Sequence, residues 1–396
     1  MTRTSPPFPV ARPRVALLVE TSLASGRDIL CGIAKYARNH GPWVLYHEPR
    51  SLTEGLPHWL RDWKGDGILA RVQDASIAEG VQALGVPVVD VLGEAPQAGL
   101  PLVHVDDGLV AALAAEHLLE RGFHHFAFLG IQGETWSDMR LDGFRRALPG
   151  AATLEGFRLP RTLMAGTPWE ARLGALAEWL SGLPRPTGIL AASDQVAPLL
   201  LEACRRAGVH VPDDVAVVGV DNDETLCEVC SPALSSVDAG HRMVGFRAAE
   251  LLDQLMRGEA PPRGPLRVRP GQVVVRASTE VQATADRQVA LALRIIRDRA
   301  PAGLSASDLL SLIPVSRSVL QRRFRTQTGR SIQQEIIHAR LRHARRLLAE
   351  TDLPLTEVAE ASGFRHREYL SAVFREHLGT TPADYRRNAA LAFSPR

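Results

Sequence analysis

Arg317, Gln321 and Arg325 recur at four-residue intervals, with Arg322 and Arg323 beside them, while Leu320 and Phe324 hold the same interval on another face. That spacing belongs to a helix with Leu and Phe turned inward and a row of Arg and Gln turned outward. Such side chains are the ones that reach base edges and phosphates of a nucleic-acid duplex. A short apolar helix precedes them and ends at Pro314, which cannot continue it, and Ser316 stands where a cap for the next helix is needed. The pattern recurs further on. A helix over 356–362 stops at Gly363, and a second over 366–378 buries Leu370 and Phe374 behind Arg365, His366 and Arg367. Both are helix–turn–helix patterns, joined by one long Arg-rich helix over 332–349. The plain alternative for one pattern is a helical bundle with solvated arginine faces; two in tandem favour DNA.

Charge follows the same division. Residues 287–396 hold 19 Arg, no Lys and 10 Asp or Glu, a net of +9, while the rest of the chain carries −7 and the whole only +2. A basic segment on an acidic body suits a module that meets a polyanion, attached to one that does something else. The length of 396 residues corresponds to two or three domains. No apolar run approaches the roughly 18 residues of a membrane span. The Pro-rich first residues contain no signal-peptide core. Four cysteines make no disulfide framework, so a reducing cytoplasm is the expected compartment.

The elements before residue 276 alternate. Apolar, β-branched runs at 14–20, 67–71, 86–92, 124–130, 187–192 and 215–220 are continuous, as in strands buried on both faces of a parallel sheet. Amphipathic segments at 28–38, 109–121, 137–148, 169–180, 195–207 and 242–256 lie between them. Repeated β-α-β units of this length predict two doubly wound α/β lobes with a cleft between. Polar residues 276–286 read as a linker. The expected division is a disordered N-terminus over 1–13, a sensor over 14–275, the linker, a DNA-binding domain over 287–390 and a tail over 391–396.

Residues 289–387 resemble the DNA-binding domain of AraC/XylS-type transcriptional regulators. Ala359, Gly363, Phe364, Leu370, Phe374, Gly379, Pro382 and Tyr385 carry the likeness. Residues 14–275 resemble the sugar-sensing core of LacI/GalR repressors, a type I periplasmic-binding-protein fold. Here the likeness rests on HVDDG (104–108), ERGFHHFAFLG (120–130), Arg140-x-x-Gly143-Phe144, ILAASDQVA (189–197) and DVAVVGVDND (214–223) with PALSSV after it. A sensor of the second kind before a reader of the first is the organisation of xylose-operon regulators. The resemblance implies two units entering successive major grooves. Arg317, Ser318, Gln321 and Arg322 would read DNA in the first, and Arg365, His366, Arg367 and Ser371 in the second. Ala372 stands where many members carry Arg. The first unit is therefore expected to carry most of the base discrimination and the second to contribute more phosphate anchoring. In the sensor the resemblance implies sugar contacts from Arg27, Arg140, Asp194 and Asp221, with Trp136 as a ring platform; Asn222, Asp107 and Glu134 are weaker candidates. An Asp after a buried strand is as readily a helix cap. Ser22–Gly26 departs from the larger, charged residues of the xylose regulators.

The resemblance implies double-stranded operator DNA, a sugar effector (xylose foremost), a homodimer, RNA polymerase if the chain activates, no cofactor and no membrane. A sugar-processing enzyme with a basic nucleic-acid-binding tail is the rival. It would need an acid–base pair or an activated nucleophile, and no Gly-rich phosphate loop, HExxH or GxSxG occurs. Cys227-x-x-Cys230 has neither a second such pair nor histidines at ligand spacing, so no metal is expected.

Overall fold

The computed structural model describes residues 12–93, 99–150, 152–160, 168–281, 284 and 286–393. It forms two compact units, one ending at Val281 and one beginning at Gln282.

In the first unit, β1 (Arg14–Leu18), α1 (Ala24–His40), β2 (Val44–His47), β3 (Gly67–Ala70), α2 (Ala75–Gln82), β4 (Val88–Val91) and β5 (Leu102–Val105) open one lobe. The chain crosses into a second lobe through α3 (Asp107–Glu120), β6 (His125–Ile131), α4 (Thr135–Ala147), β7 (Thr153–Leu159), α5 (Trp169–Gly182), β8 (Thr187–Ala191), α6 (Ala197–Arg206), β9 (Val215–Val220), α7 (Glu224–Val229) and β10 (Ser235–Val237). It returns for α8 (His241–Met256) and β11 (Leu266–Val268), then crosses again to β12 (Val273–Val274). The sheet orders are β11-β5-β4-β3-β1-β2 and β12-β10-β9-β8-β6-β7, parallel except for the β10–β12 pair. This is the two-lobed, doubly wound architecture expected. Central strands are buried throughout, β3 and β9 along their whole length, which is why their sequences do not alternate.

Besides β11 and β12, only three and two residues long, four strands escape the apolar-run reading for physical reasons. β2 and β7 are edge strands with half their residues exposed. β5 is short and its apolar run is broken by His104. β10 is buried yet reads Ser-Ser-Val, its hydroxyls satisfied by hydrogen bonds. α1 and α8 lie against each other at two glycines. A Cβ on Gly32 would meet the Arg242 carbonyl at 2.0 Å, and one on Gly245 the Ile29 carbonyl at 2.0 Å. The three chain crossings are tied together: Asp106 N donates to Val268 O (2.8 Å), Asp238 N to Gln272 O (2.9 Å) and Gly271 N to Asp238 O (2.9 Å).

The boundary of this unit corrects the expected linker. Arg276 donates to Asn222 Oδ1 and Leu234 O at 3.0 Å each. Ser278 and Thr279 are fully buried; Ser278 Oγ donates to Val217 O at 2.6 Å, and Thr279 Oγ1 lies 2.7 Å from Ser235 Oγ. The segment lacks apolar periodicity because it holds the sheet by hydrogen bonds. Asp286, also expected in the linker, caps the next helix. Pro13 is already bonded to β2 through Val44 N, and residues 1–11 lie outside the described ones.

The second unit is helical: α9 (Arg287–Arg299), α10 (Ala306–Leu312), α11 (Arg317–Thr328), α12 (Ile332–Glu350), α13 (Leu355–Ala361), α14 (Arg367–Leu378) and α15 (Pro382–Phe393). α15 runs on into the expected tail, of which 394–396 lie outside the described residues. Two cores form. Leu309, Ile313, Leu320 and Phe324 close on Val289 and Ile296 of α9. Val358, Phe364, Leu370 and Phe374 close on Leu341, Ala344 and Leu348 of α12. α12 enters both and joins them. Ser305 and Ser331 form capping boxes with Asp308 and Gln334. Ser316 stands at the N-cap of α11 as expected, but its side chain makes no capping hydrogen bond.

Candidate functional site

Strand C-termini of both lobes carry the polar side chains of the sensor, where ligands of open α/β sheets bind. In the second lobe Arg140 projects from α4 and is 4% exposed. It donates to Asp107 Oδ1 through Nε (2.8 Å) and to Ala192 O through Nη1 (2.5 Å), and its Nη2 lies 3.6 Å from Asp221 Oδ1. Asp221 follows β9 with φ +106° and Asn222 with φ +50°. Such left-handed backbone is strained for a non-glycine residue and clusters at functional sites. Ser193 Oγ donates to Asp221 Oδ2 at 3.0 Å. Burial pushes the Asp221 carboxyl up, and Arg140, the Ser193 hydroxyl and Arg71 of the first lobe pull it back. His241, at the start of α8, sits 3.9 Å from Asp221. Burial, with Arg140 and Arg71 nearby, pushes its pKa down to about 3, so the imidazole is neutral.

In the first lobe Arg71 pairs with Glu20 at 2.6 Å, with side chains 11% and 1% exposed. Gly26 permits this: a Cβ there would meet the Glu20 carbonyl at 2.1 Å. Glu20 Oε2, Arg71 Nε and Asp107 Oδ2 are buried and make no hydrogen bond within the protein. Asp107 Oδ2 has His104 Nδ1 near it, at 3.4 Å, so an unused acceptor on Glu20 and an unused donor on Arg71 are what the hydroxyls of a polyol would satisfy.

The expected sugar contacts separate. Arg140 and Asp221 come together. Asp194, 1% exposed, does not face outward: its oxygens accept from Ser236 Oγ (2.8 and 3.0 Å) and Asp223 N (2.8 Å), with Cys227 Sγ at 3.5 Å. It braces β9 and β10, and its expected ligand role is corrected to positioning. Trp136 is half-buried and turns a ring face onto the Arg140 guanidinium, 4.8 Å away, while Nε1 donates to Glu134. Arg27 is at the rim, 47% exposed, donating to Thr21 O and 3.8 Å from Asp223. The Asn222 amide oxygen is engaged by Arg276. Burial raises the thiol pKa of Cys227, and that of Cys230 to about 11, which keeps both protonated and poorly suited to metal or redox work. Glu20, Arg71, Ser193 and His241 were not anticipated. The signal for the first two was in the sequence, since each directly follows a buried run.

In the helical unit, Arg317, Ser318, Gln321 and Arg322 are exposed on α11; Arg365, His366 and Arg367 are exposed at the start of α14, and Ser371 is half-buried. Other arginines are structural: Arg340 donates to Ala300 and Leu304 carbonyls, and Arg386 to Leu353.

Residues 14–103 match the XylR N-terminal domain, 115–279 a periplasmic binding protein-like domain and 311–388 a helix-turn-helix domain. Over 385 residues the chain is 32% identical to the xylose operon regulatory protein of Escherichia coli (strain K12), covering 95% of this chain and 97% of that relative. The chain belongs to the family of xylose operon regulatory proteins. The Haemophilus influenzae member is 30% identical, with 95% and 98% covered. The solved structure of a xylose-binding transcription activator superposes with TM-score 0.79 at 30% identity, covering 96% of this chain and 98% of that one. A regulator solved with cellobiose shares the sensor fold alone (TM-score 0.53, 24% identity, 67% of this chain and 85% of that one). Xylose operon regulatory proteins are transcription regulators, so the enzyme reading falls. Among the described residues no helix is long and apolar enough to cross a membrane.

Asp194 gives this family member an alkaline weakness. Burial, with Asp221 adding to it, pushes its carboxyl from 3.8 up to about 8. A folded-state pKa above the unfolded one means stability present at low pH and lost as pH rises through the folded value. Buried Asp90, raised to about 7, acts in the same direction over a lower range. Thermal midpoints of the sensor should therefore fall steadily from about pH 4 to about pH 8, and Asp194→Asn should flatten the part above about pH 7, where Asp90 contributes little. An unchanged slope in the variant refutes the assignment.

Proposed function

We propose that this chain is a xylose-responsive transcriptional activator of a sugar-catabolic operon. It acts in the cytoplasm as a homodimer on double-stranded operator DNA, with RNA polymerase as its downstream partner. Xylose lies between the lobes, against Arg140, Asp107 and Asp221 on one side and Glu20 and Arg71 on the other, with Arg27, Trp136 and Asn222 around the rim. The observation that carries this reading is the pair of buried atoms without a partner on Glu20 and Arg71, facing the Arg140–Asp107–Asp221 cluster. Neither guanidinium is spare, since Arg71 is matched by Glu20 and Arg140 faces two carboxylates, Asp107 and Asp221. A neutral polyol fits such a site better than a sugar acid or phosphate, which would bring an uncompensated charge. Sugar favours the closed sensor, and the sensor drives the DNA units only if the sugar binds the DNA-competent arrangement more tightly.

A thermal-shift panel of neutral pentoses, hexoses and a sugar acid tests it. At a hundredfold excess over Kd, xylose should raise the sensor midpoint by about 5 °C or more. A larger shift from a hexose overturns the choice of xylose while keeping the site. No shift from any sugar overturns the site itself.

A further inference from the structure

The two helix–turn–helix units repeat each other. Leu320, Phe324 and the C-cap Gly329 of the first correspond to Leu370, Phe374 and the C-cap Gly379 of the second, each fifty positions on. In that register Ser318, Gln321 and Arg322 correspond to Glu368, Ser371 and Ala372. The second helix thus places a carboxylate where the first places a base-reading candidate. Glu368 is 72% exposed, and its Oε1 receives a 2.8 Å hydrogen bond from Arg367 Nε, itself 61% exposed. That bond holds the Glu368 carboxyl below the usual carboxylate range, so it is an acceptor only.

An ionised carboxylate on a DNA-facing helix is repelled by every phosphate. It is tolerated where it meets a donor, and in the major groove the donors are the amino groups of cytosine and adenine. A G·C pair shows guanine N7 and O6, both acceptors, next to the cytosine N4 amino donor. The Arg367–Glu368 pair is the complement of that edge, since Arg367 keeps its terminal Nη atoms free of this bond while Nε is tied to Glu368. We propose that Arg367 and Glu368 together read one G·C base pair in the major groove, Arg367 donating to guanine O6 and N7 and Glu368 accepting from cytosine N4. The ion pair forms before DNA arrives, which spares part of the ordering cost of two long side chains. Ala372 has no polar side-chain atom, so base reading on α14 falls to the residues nearer its start, this pair among them. On this reading the second unit, expected from the sequence to contribute more phosphate anchoring than base discrimination, also reads one base pair.

Selection by the full-length protein from fully randomised duplexes, followed by affinities for single-base variants of the selected site, tests this. Wild type should prefer G·C about tenfold or more at one position in the half-site of the second unit. Glu368→Ala should lower the G·C preference at that position alone, leaving the part Arg367 reads from guanine, and Glu368→Gln should admit A·T there, since Gln pairs with adenine. The salt slope should stay unchanged in both. If Glu368→Ala tightens binding to every duplex alike and leaves all preferences in place, Glu368 is only a repelling surface charge and the proposal fails. It fails too if the second half-site shows no G·C preference. Both substitutions lie on an exposed helix face, and a thermal midpoint equal to wild type certifies the fold.

Discussion

Arg140→Ala is expected to abolish sugar binding and to destabilise the sensor by about 3–5 kcal/mol, because it leaves Asp107 and Asp221 as buried charges without their cation. Asp107 is fully buried, so it cannot recover solvation by turning to water. Two companions separate binding from folding. Arg140→Lys retains a charge but not the planar fork that spans Asp107, the Ala192 carbonyl and Asp221. It should recover part of the stability and little of the binding. Asp221→Asn removes one charge from a position whose side chain is 18% exposed. It should stay folded, keep basal DNA binding and weaken sugar binding by about 1.5–3 kcal/mol, the worth of a charge-assisted hydrogen bond. Urea unfolding and calorimetric titration with xylose check all three. An Arg140→Ala protein with wild-type midpoint and affinity would sink the site.

Residues 282–396 alone are expected to fold and to bind DNA with a steep salt dependence and no response to sugar. Each half of this unit closes its own core on α12. An arginine surface that neutralises six or more phosphates loses about a thousandfold or more in affinity between 50 and 200 mM salt. Within this fragment Gln321→Ala should relax preference at about one base pair, costing roughly 1–3 kcal/mol there, because Gln321 is exposed on α11 and suits adenine. Fluorescence anisotropy at several salt concentrations, with and without xylose, decides the matter. A fragment whose affinity still changes with sugar, or hardly changes with salt, refutes separability.

The reading helices were legible because their signals are local. Leu320 and Phe324, Leu370 and Phe374, and the glycines that end both helices lie within a few turns of one another, and four-residue spacing alone turns them inward. Continuous apolar runs likewise marked the buried parallel strands. The polar segment 276–279 looks like a linker in sequence because hydrogen bonds to β9 and β10, and not apolar side chains, hold it to the sheet.

The sensor site shows where that legibility stops. Asp194 and Asp221 both lie just beyond a buried apolar run, and the amino-acid pattern treats them alike. Tertiary structure parts them. β10 brings Ser236, 42 residues from Asp194, against its carboxylate, while Asp221, held at positive φ, is turned to Arg140. Glu20 and Arg71 are 51 residues apart and meet only because β1 and β3 are neighbours in the sheet. Periodicity and charge marked two α/β lobes followed by two basic helix–turn–helix units, because they specify elements one at a time, and the sensor role followed from the resemblance. Which carboxylates face the cleft was decided by strand order, because a side chain's partner across a sheet is set by topology and not by its neighbours in the chain.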